Sequence, residues 1–294
     1  MKYIFVLNPV AGIKNYKDTL ENELKKIDGL DYQIVCTEYP GHAKKIVQEY
    51  LEKYSGQDIA FYACGGDGTL NEVASMVAGT EAKLGVIPCG SGNDFVKFFG
   101  GAEKFFDIKK NINGKIKPID ILKIGDNYSI NVCNFGFDAV VAKTANETKT
   151  VGGKKSYTKG IIKGLFCGMS HKIKVEVDGK LINNKAMLLC TLANGSYVGG
   201  KYCCAPKSVI DDGLVEVCLV DKVSIFTFIS ILGKYTKGEH LGLNKKFIHY
   251  TRGKVVKMYS DKDFDICLDG EIVTGNNFTL EVIKNNVNFI VPED

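Results

Sequence analysis

The sequence has no apolar run long enough to cross a membrane. Its longest apolar stretch, residues 223–232, is interrupted by Ser224, Thr227 and Ser230 and falls well short of the roughly 20 residues that a membrane span needs. The N-terminus, MKYIFVLNPV, is a short apolar run that stops at Asn8-Pro9 without a small-residue cleavage site, which predicts a first strand and not a secretion signal. We therefore expect a cytoplasmic protein, peripheral to a membrane at most.

The sequence also has no CxxC pair, although it contains 10 cysteines. This absence argues against a zinc site and against a secreted disulfide framework. A free thiol in an apolar run behaves as a small hydrophobic side chain. Most of the cysteines lie in such runs, and we expect them in the core: Cys36, Cys64, Cys133, Cys190, Cys218 and Cys267.

A strong excess of one charge, an internal repeat and a low-complexity tract are absent too. The net charge of +4 is too small to imply nucleic-acid binding by itself, although it is compatible with transient contact with an anionic membrane surface. Hydrophobic residues make up 45% and charged residues 24% of the chain, which is typical of a folded globular protein. A length of 294 residues allows two domains.

The first hundred residues alternate between apolar runs and helical patterns. Such βαβ repetition predicts a parallel, Rossmann-like sheet with its ligand-binding loops at the carboxyl ends of the strands. We assign residues 1–119 to this α/β domain, to which a segment of about 285–294 can return. The runs are 2–7, 31–36, 59–64 and 84–88, and the helical patterns are about 17–27, 42–54 and 70–78.

From about residue 119 the pattern changes to strands and hairpins. Asp178-Gly179 between alternating apolar residues is a strong hairpin signal, and a Gly-Asp-Asn turn divides the segment ILKIGDNYSINVCNFGFDAVV. Residues 120–294 are therefore predicted to form a second, mainly antiparallel β-sandwich domain. Further strands are expected at 186–193, 214–220, 255–259, 264–268 and 278–291, and helical inserts at 154–168 and 223–237.

Residues 58–77 have the pattern of a phosphate-binding loop. An apolar run ends at Cys64, and three glycines follow at positions 65, 66 and 68 before a helical pattern begins. Glycine lets backbone N–H groups approach an anion closely, and the positive end of a helix favours phosphate. Asp67 would repel phosphate unless a metal ion lies between them, which hints at Mg²⁺. A GGxG turn alone is weak evidence, because glycines serve ordinary tight turns as well.

Five motifs together carry a more specific signal. They are NPVAG at 8–12, GGDGTLNE at 65–72, PCGSGNDF at 88–95, IDDGL at 210–214 and LDGE at 268–271. In order and approximate spacing they resemble the diacylglycerol kinase catalytic domain in its soluble bacterial lipid-kinase form, over nearly the whole chain. GGDG alone is shared with NAD kinases, so the IDDGL and LDGE motifs are what favour the diacylglycerol kinase family over NAD kinases.

The resemblance implies an ATP cleft lined by backbone amides and hydroxyls of the first domain. For Thr37 and Ser91 ordinary turn capping is the competing interpretation, and His42 is expected to be structural. The residues implied at the nucleotide are Asn8, Pro9, Gly12, Thr37, Gly65, Gly66, Asp67, Gly68, Thr69, Glu72, Ser91 and Asn93.

Phosphoryl transfer needs magnesium, a cation near the phosphates and a base for the incoming hydroxyl. The resemblance implies that Glu271 is the proton acceptor, with Asp269 as its partner or rival; a plain Asp-Gly hairpin turn is the alternative. It also implies a charged network that holds Mg²⁺ through water and links the two domains. Its members would be Asp67, Asp120, Lys14 and Lys97, and lysine at 97 departs from the arginine common in relatives, which makes a bidentate fork.

A second, structural Mg²⁺ site is implied at Asp212, with the backbone carbonyls of Val209 and Leu214 as further ligands. Oxygen ligands in a turn suit Mg²⁺, and an Asp-Gly turn without metal is the equal alternative.

The sequence also contains a basic segment, in which a helical pattern is surrounded by lysines at 143, 149, 154, 155, 159 and 163. It can rest on anionic lipid or be a solvated helix face.

The resulting hypothesis is an ATP- and Mg²⁺-dependent kinase that phosphorylates a lipid alcohol in a cleft between the domains, with diacylglycerol as the expected acceptor and phosphatidic acid as the product. A sphingoid base or another lipid alcohol is an open alternative. Two other classes compete: a kinase of a soluble acceptor, like NAD kinase, and a non-catalytic nucleotide-binding regulator. We expect no nucleic-acid partner, and a homodimer is compatible with the sequence.

Overall fold

The computed structural model describes residues 1–12, 16–147, 160–165, 168–243 and 246–293. The chain divides into two compact units. Unit 1 consists of Met1–Ile121 and Lys284–Asp294, and unit 2 of Leu122–Ile283. No helix within the described ranges is long and apolar enough to span a membrane.

The described part of the chain contains helices and strands with the following bounds. The helices are α1 Tyr16–Leu24, α2 His42–Lys53, α3 Asp67–Val77, α4 Ile108–Ile112, α5 Phe137–Glu147, α6 160–165 and α7 Ile225–Thr236. The strands are β1 Lys2–Leu7, β2 Tyr32–Cys36, β3 Ile59–Gly65, β4 Lys83–Pro88, β5 Lys115–Ile124, β6 Asn127–Ser129, β7 Val132–Gly136, β8 Lys174–Val177, β9 Lys180–Leu181, β10 Met187–Ala193, β11 Tyr197–Val198, β12 Tyr202–Cys203, β13 Val215–Asp221, β14 Ile248–Gly253, β15 Val255–Leu268 and β16 Glu271–Val291.

Unit 1 is an α/β fold with a parallel sheet, as the sequence predicts. β1 pairs with β2 on one side and β3 on the other, and β4 continues the sheet beyond β3. The end of β16 returns to unit 1, where Asn288 and Phe289 pair with β4 in parallel. All seven residues of β3 are buried, which explains why this strand reads as a continuous apolar run.

Aromatic packing fixes the strands and the segment that follows β4. Phe5 of β1 stacks on Tyr62 of β3 at 5.0 Å between ring centroids. Phe289 of β16 contacts Phe95 edge to face at 5.2 Å and stacks on Phe99 at 5.2 Å. Phe95 and Phe99 bound a 3-10 helix that begins just after the third glycine-rich loop, so this packing positions that loop.

Unit 2 is an antiparallel β-sandwich-like fold, again as predicted. Its strands run in the order β14, β13, β10, β7, β15 and β16, and each neighbouring pair is antiparallel. The predicted Asp178-Gly179 turn joins β8 to β9, with φ of 49° and 80° at the two residues. The two predicted strands at 255–259 and 264–268 are parts of one strand, β15, whose pairing with β16 is irregular between Tyr259 and Phe264.

One stretch of unit 2 differs in type from its expected strand and hairpin structure. Residues 137–147 form the helix α5. Phe137, Val141 and Ala145 recur every four residues and are all buried, so the helical period applies here and not the period of two. Of the predicted helical insert at 154–168, residues 160–165 are helical and 154–159, 166 and 167 lie outside the described residues.

Candidate active site

The glycine-rich motif joins a buried strand to the start of a helix. β3 ends at Gly65, and α3 begins at Asp67 with Gly66 as its N-cap residue. The first N–H groups of a helix have no partner within the helix, so they and the positive end of the helix dipole favour an anion. Gly66, Gly68 and Thr69 therefore lie where the sequence predicted a phosphate site.

Three loops at the ends of β1, β3 and β4 are packed directly against one another. A Cβ placed on Gly12, whose φ is +67°, would lie 1.6 Å from the carbonyl oxygen of Cys89. One placed on Gly90 would lie 2.4 Å from the Cα of Gly66. Only glycine fits at these contacts, so the structure brings together Gly12, Gly66 and Gly90.

Side-chain amides tie the same loops together. The Asn8 side chain donates to Thr69 Oγ1 at 3.2 Å and accepts from the Val10 N–H at 3.1 Å. The amide of Asn93, a residue with φ of +48°, donates to the carbonyls of Pro88 and Gly90 at 3.1 and 2.8 Å. Asn8 and Asn93 therefore stabilise the loops, and their predicted roles in nucleotide binding stay predictions.

Two carboxylates converge at the third loop. Asp67 Oδ1 accepts hydrogen bonds from the backbone N–H groups of Asp94 and Phe95 at 2.6 and 3.2 Å. A Cβ on Gly92 would lie 2.9 Å from Asp67 Oδ2 and 3.6 Å from Asp94 Oδ2, so both oxygens border the space left by this glycine. Lys97 Nζ lies 2.5 Å from Asp94 Oδ1. The donor set of two carboxylates suits Mg²⁺, which prefers oxygen ligands and bound water.

Asp94 was missed at the level of sequence. It lies inside the PCGSGNDF motif, three residues before Lys97. Nothing in the motif distinguishes Asp94 as a functional residue from the turn residues around it. Its role becomes visible only through its contacts with Asp67 and Lys97. Lys14, the other lysine of the predicted network, lies outside the described residues.

Other predicted residues of unit 1 have identifiable structural partners. The Glu72 carboxylate accepts from the backbone N–H groups of Gly41 and Ala43 at 3.0 and 3.1 Å, so it caps the start of α2. The Thr37 N–H donates to the Leu7 carbonyl at 2.8 Å. Fully buried Asp120 accepts from the Asn285 N–H at 2.8 Å. Pro9 and Ser91 are exposed. Their predicted roles at a nucleotide or network stay predictions.

The LDGE motif in unit 2 forms a tight turn between β15 and β16. Asp269 and Gly270 have φ of 47° and 99°, as the hairpin alternative expected. The Asp269 carboxylate is nonetheless engaged. It accepts from the Ser129 hydroxyl at 2.9 Å and from three backbone N–H groups, those of Ile130, Asn131 and Val132, at 2.8, 3.2 and 2.8 Å.

The two acids of this turn have different environments. Burial raises the pKa of Asp269 to about 6, although the hydrogen bonds it accepts act in the opposite direction. Four donors use the roughly four acceptor sites of its carboxylate. Glu271 is exposed, and within the described part of the chain its side chain forms no hydrogen bond or ion pair. The role of Glu271 as proton acceptor, with Asp269 as its partner or rival, stays a prediction.

Asp212 has two partners other than a metal. Its Oδ1 accepts from the Leu214 N–H at 3.0 Å, as in an ordinary Asp-Gly turn, and its other oxygen pairs with the guanidinium of Arg252. Arg252 also contacts buried Glu216 at 2.6 Å. A magnesium ion at Asp212 would sit beside this guanidinium, so the contacts favour the turn over the metal site, and we derive no step from a metal here. The ligand roles of Val209 and Leu214 stay predictions.

Unit 2 also contains a buried acid that no motif marked. Burial raises the pKa of Asp138, in the first turn of α5, to about 7. Its Oδ2 is buried, and no hydrogen-bond partner for it lies among the described residues. The neighbouring thiols of Cys190 and Cys218 also have pKa values raised by burial, so they do not supply a charge that would stabilise or repel the carboxylate at neutral pH.

Two family descriptions match consecutive parts of the chain. Residues 2–124 match the diacylglycerol kinase catalytic domain, and residues 131–291 match the YegS C-terminal NAD kinase beta sandwich-like domain. A diacylglycerol kinase of Bacillus subtilis (strain 168) is 31% identical over 279 residues, which cover 90% of this chain and 88% of the relative. A diacylglycerol kinase of Staphylococcus saprophyticus is 29% identical over 301 residues, covering 98% and 95%.

Solved structures agree in fold. One from Bacillus anthracis str. Sterne has a TM-score of 0.78 at 24% identity and covers 99% of this chain and 95% of its own. A diacylglycerol kinase from the same organism has a TM-score of 0.70 at 21% identity, covering 99% and 96%. Fold and family together define a phosphotransferase of the kinase class. The chain belongs to the diacylglycerol kinase family.

Proposed function

We propose that the protein transfers the γ-phosphoryl group of ATP to the free hydroxyl of diacylglycerol and so forms phosphatidic acid. The observation that carries the proposal is the packing of three glycine-rich loops at the start of α3, beside the Asp67 and Asp94 carboxylates. Family membership supports a kinase. The substrate names of the relatives support diacylglycerol as the acceptor.

On the nucleotide side, the residues of unit 1 bind and orient. The N–H groups at the beginning of α3 would bind phosphate oxygens, and Gly12, Gly66 and Gly90 would let the triphosphate approach the backbone. Asp67 and Asp94 would hold Mg²⁺, directly or through water. Bound Mg²⁺ supplies charge neutralisation on the phosphate oxygens. Lys97 neutralises part of the carboxylate charge through Asp94.

On the acceptor side, the alcohol oxygen would attack the γ-phosphorus while the bond between that phosphorus and the β–γ bridging oxygen breaks. ADP leaves with the bond electrons, and the hydroxyl proton goes to Glu271. Asp269 would act as a positioning residue, because its carboxylate fixes the backbone of residues 129–132 against the LDGE turn. General-base assistance of this kind is worth about 10²–10⁴-fold in rate.

The test is a phosphorylation assay with radiolabelled ATP. Diacylglycerol in mixed detergent micelles is the expected acceptor, and labelled phosphatidic acid is the expected product, only when Mg²⁺ is present. NAD and a total lipid extract are offered in parallel. Label in NAD would establish the soluble-acceptor alternative, label in another lipid alcohol would change the substrate, and ATP binding without any turnover would favour a non-catalytic regulator.

Variants test whether the proposed residues are needed for the reaction. Asp67→Asn should lower kcat by about a hundredfold or more, because one of the two carboxylates proposed to hold Mg²⁺ is lost. Glu271→Gln should lower kcat while ATP binding is retained. Asp126→Asn, at an exposed turn of unit 2, is the matched control for removal of one carboxylate and should behave as wild type. Equal activity of all three variants would refute the proposed roles.

A further inference from the structure

The helix α7 is apolar on the side that packs and on the side that does not. Phe228 is buried, and Leu232 packs on the same cluster of apolar residues. On the outer side Phe226 is 85% exposed, Ile229 58% and Ile225 39%. A surface helix normally carries polar residues on its outer side, whereas α7 exposes three large apolar residues there beside Ser230 and Lys234. This pattern favours a partner for the outer side of α7.

The exposed residues form one continuous face. Residues three and four apart are neighbours on a helix surface, which places Ile229 one turn after both Ile225 and Phe226. Gly233 is exposed one turn further along. Among the twelve residues of α7, IFTFISILGKYT, the single charged residue is Lys234 in the last turn. The centre of the face is therefore free of charge.

Lysines border this face at both ends. Lys222 precedes α7 and Lys237 follows it, and both are exposed. Within the described residues neither forms an ion pair of 4 Å or less, whereas Lys234 pairs with Glu239 at 2.6 Å. An apolar centre with basic residues around it matches the surface of an anionic bilayer, in which acyl chains lie beneath negatively charged headgroups.

The neighbouring helix α6 packs on the same apolar cluster as α7. Ile161 and Leu165 of α6 pack on the cluster that contains Phe228, while Ile162 of α6 is 51% exposed. The sequence had placed membrane contact on the lysines around this helix. Two of them are paired, Lys143 with Asp265 and Lys163 with Glu147, and the lysines at 149, 154, 155 and 159 lie outside the described residues.

We propose that α7 docks the protein on anionic bilayers by inserting Phe226 and Ile229 below the headgroups, with Lys222 and Lys237 at the headgroup level. The proposal rests on the proposed function in one respect, since a diacylglycerol substrate is held in a bilayer. A second copy of the chain is the less suitable occupant. A stable interface covers about 800 Å² on each partner, far more than three side chains supply.

The experiment measures co-sedimentation with vesicles of phosphatidylcholine and phosphatidylglycerol, using the chain of 294 residues without ATP. Phe226→Ser should lower the partition coefficient by about tenfold to a hundredfold, the equivalent of withdrawing one large apolar side chain from an apolar phase. Lys222→Gln and Lys237→Gln should each lower it by about fivefold, and 0.5 M salt should reduce wild-type binding strongly. Phe106→Ser, at an exposed phenylalanine of unit 1, is the control and should bind as wild type.

The outcomes separate docking from catalysis. Unchanged vesicle binding of Phe226→Ser and Ile229→Ser, with unchanged melting temperatures, would overturn the proposal. So would a wild-type dimer in sedimentation velocity that both variants convert to monomer without any change in lipid binding. If lipid binding falls as expected but no diacylglycerol is phosphorylated in micelles, docking stands and the proposed function fails. The variants should keep wild-type activity in detergent micelles, since α7 contains no proposed catalytic residue.

Discussion

Replacing Asp269 by alanine should lower the stability of the protein as well as its activity. The carboxylate accepts one hydrogen bond from the Ser129 hydroxyl and three from the backbone of residues 130–132. These residues are nearly inaccessible to solvent, with exposures of 0% to 4%. Removal of the acceptor therefore leaves four buried donors without the partner that the native structure provides.

The size of the effect follows from these contacts. A buried donor left without an acceptor costs about 1–3 kcal/mol, so four donors set an upper range of about 4–12 kcal/mol. Water can reach the shortened side chain, and burial of the carboxylate itself is unfavourable, as the rise of its pKa to about 6 indicates. We expect a loss of about 3–5 kcal/mol in the free energy of unfolding, which corresponds to a fall in melting temperature on the order of 10 °C.

The assay combines unfolding at pH 8, where Asp269 is ionised, with kcat and KM for ATP and diacylglycerol. Asp269→Asn keeps one acceptor oxygen and should lie between wild type and alanine in both readouts. Glu271→Gln is the control, with unfolding within about 0.5 kcal/mol of wild type and a much lower kcat. If Asp269→Ala left stability unchanged and abolished turnover, Asp269 would be the base and the assignment to Glu271 would be refuted.

Three further predictions follow from individual contacts. The pKa of Asp138 is about 7 in the folded protein and about 3.9 in an unfolded chain. Between these pH values the native state binds more protons than the unfolded state, so the free energy of unfolding should fall as pH rises from 4 to 7. In urea titrations Asp138→Asn should flatten that dependence. Gly12→Ala should weaken ATP binding at least tenfold by calorimetry, because its Cβ would strike the Cys89 carbonyl. If Asp212 serves the ion pair, Arg252→Ala should destabilise unit 2 by about 1–2 kcal/mol, because buried Glu216 loses its cationic partner while the guanidinium itself is partly exposed. EDTA should shift the melting temperatures of wild type and Asp212→Ala by the same amount; a Mg²⁺-dependent rise in wild type alone would restore the metal site.

The fold of unit 1 could be predicted from local sequence because its strands are buried on both faces. Such strands are continuous apolar runs, and helices with a period near 3.6 separate them. The predicted run 59–64 corresponds to β3 at Ile59–Gly65, and the predicted helix 42–54 to α2 at His42–Lys53. The glycine-rich motifs could be assigned to the strand ends for the same reason, since strand ends and turn residues are both local signals.

Features that depend on distant residues could not be predicted in this way. α5 begins with Phe137-Asp138-Ala139-Val140-Val141, in which a period of two and a period of four are equally visible. Only the burial of every fourth residue against the sheet decides between them. Arg252 pairs with an acid 40 positions earlier, and Asp94 acquires its significance from Asp67, 27 positions away.

Asp67 and Asp269 show why a motif identifies an acid more readily than it identifies the role of that acid. Both precede a glycine, Asp67 at the start of α3 and Asp269 in a tight turn, and both accept hydrogen bonds from backbone N–H groups. The Asp269 carboxylate is enclosed by four donors, so its charge serves to fix the polypeptide. Asp67 directs one oxygen toward the gap at Gly92, beside a second carboxylate, and two carboxylates so close together are stabilised by a cation. The contacts of each carboxylate, and not the DG dipeptide that both share, therefore distinguish the acid that we propose to hold a metal from the structural one.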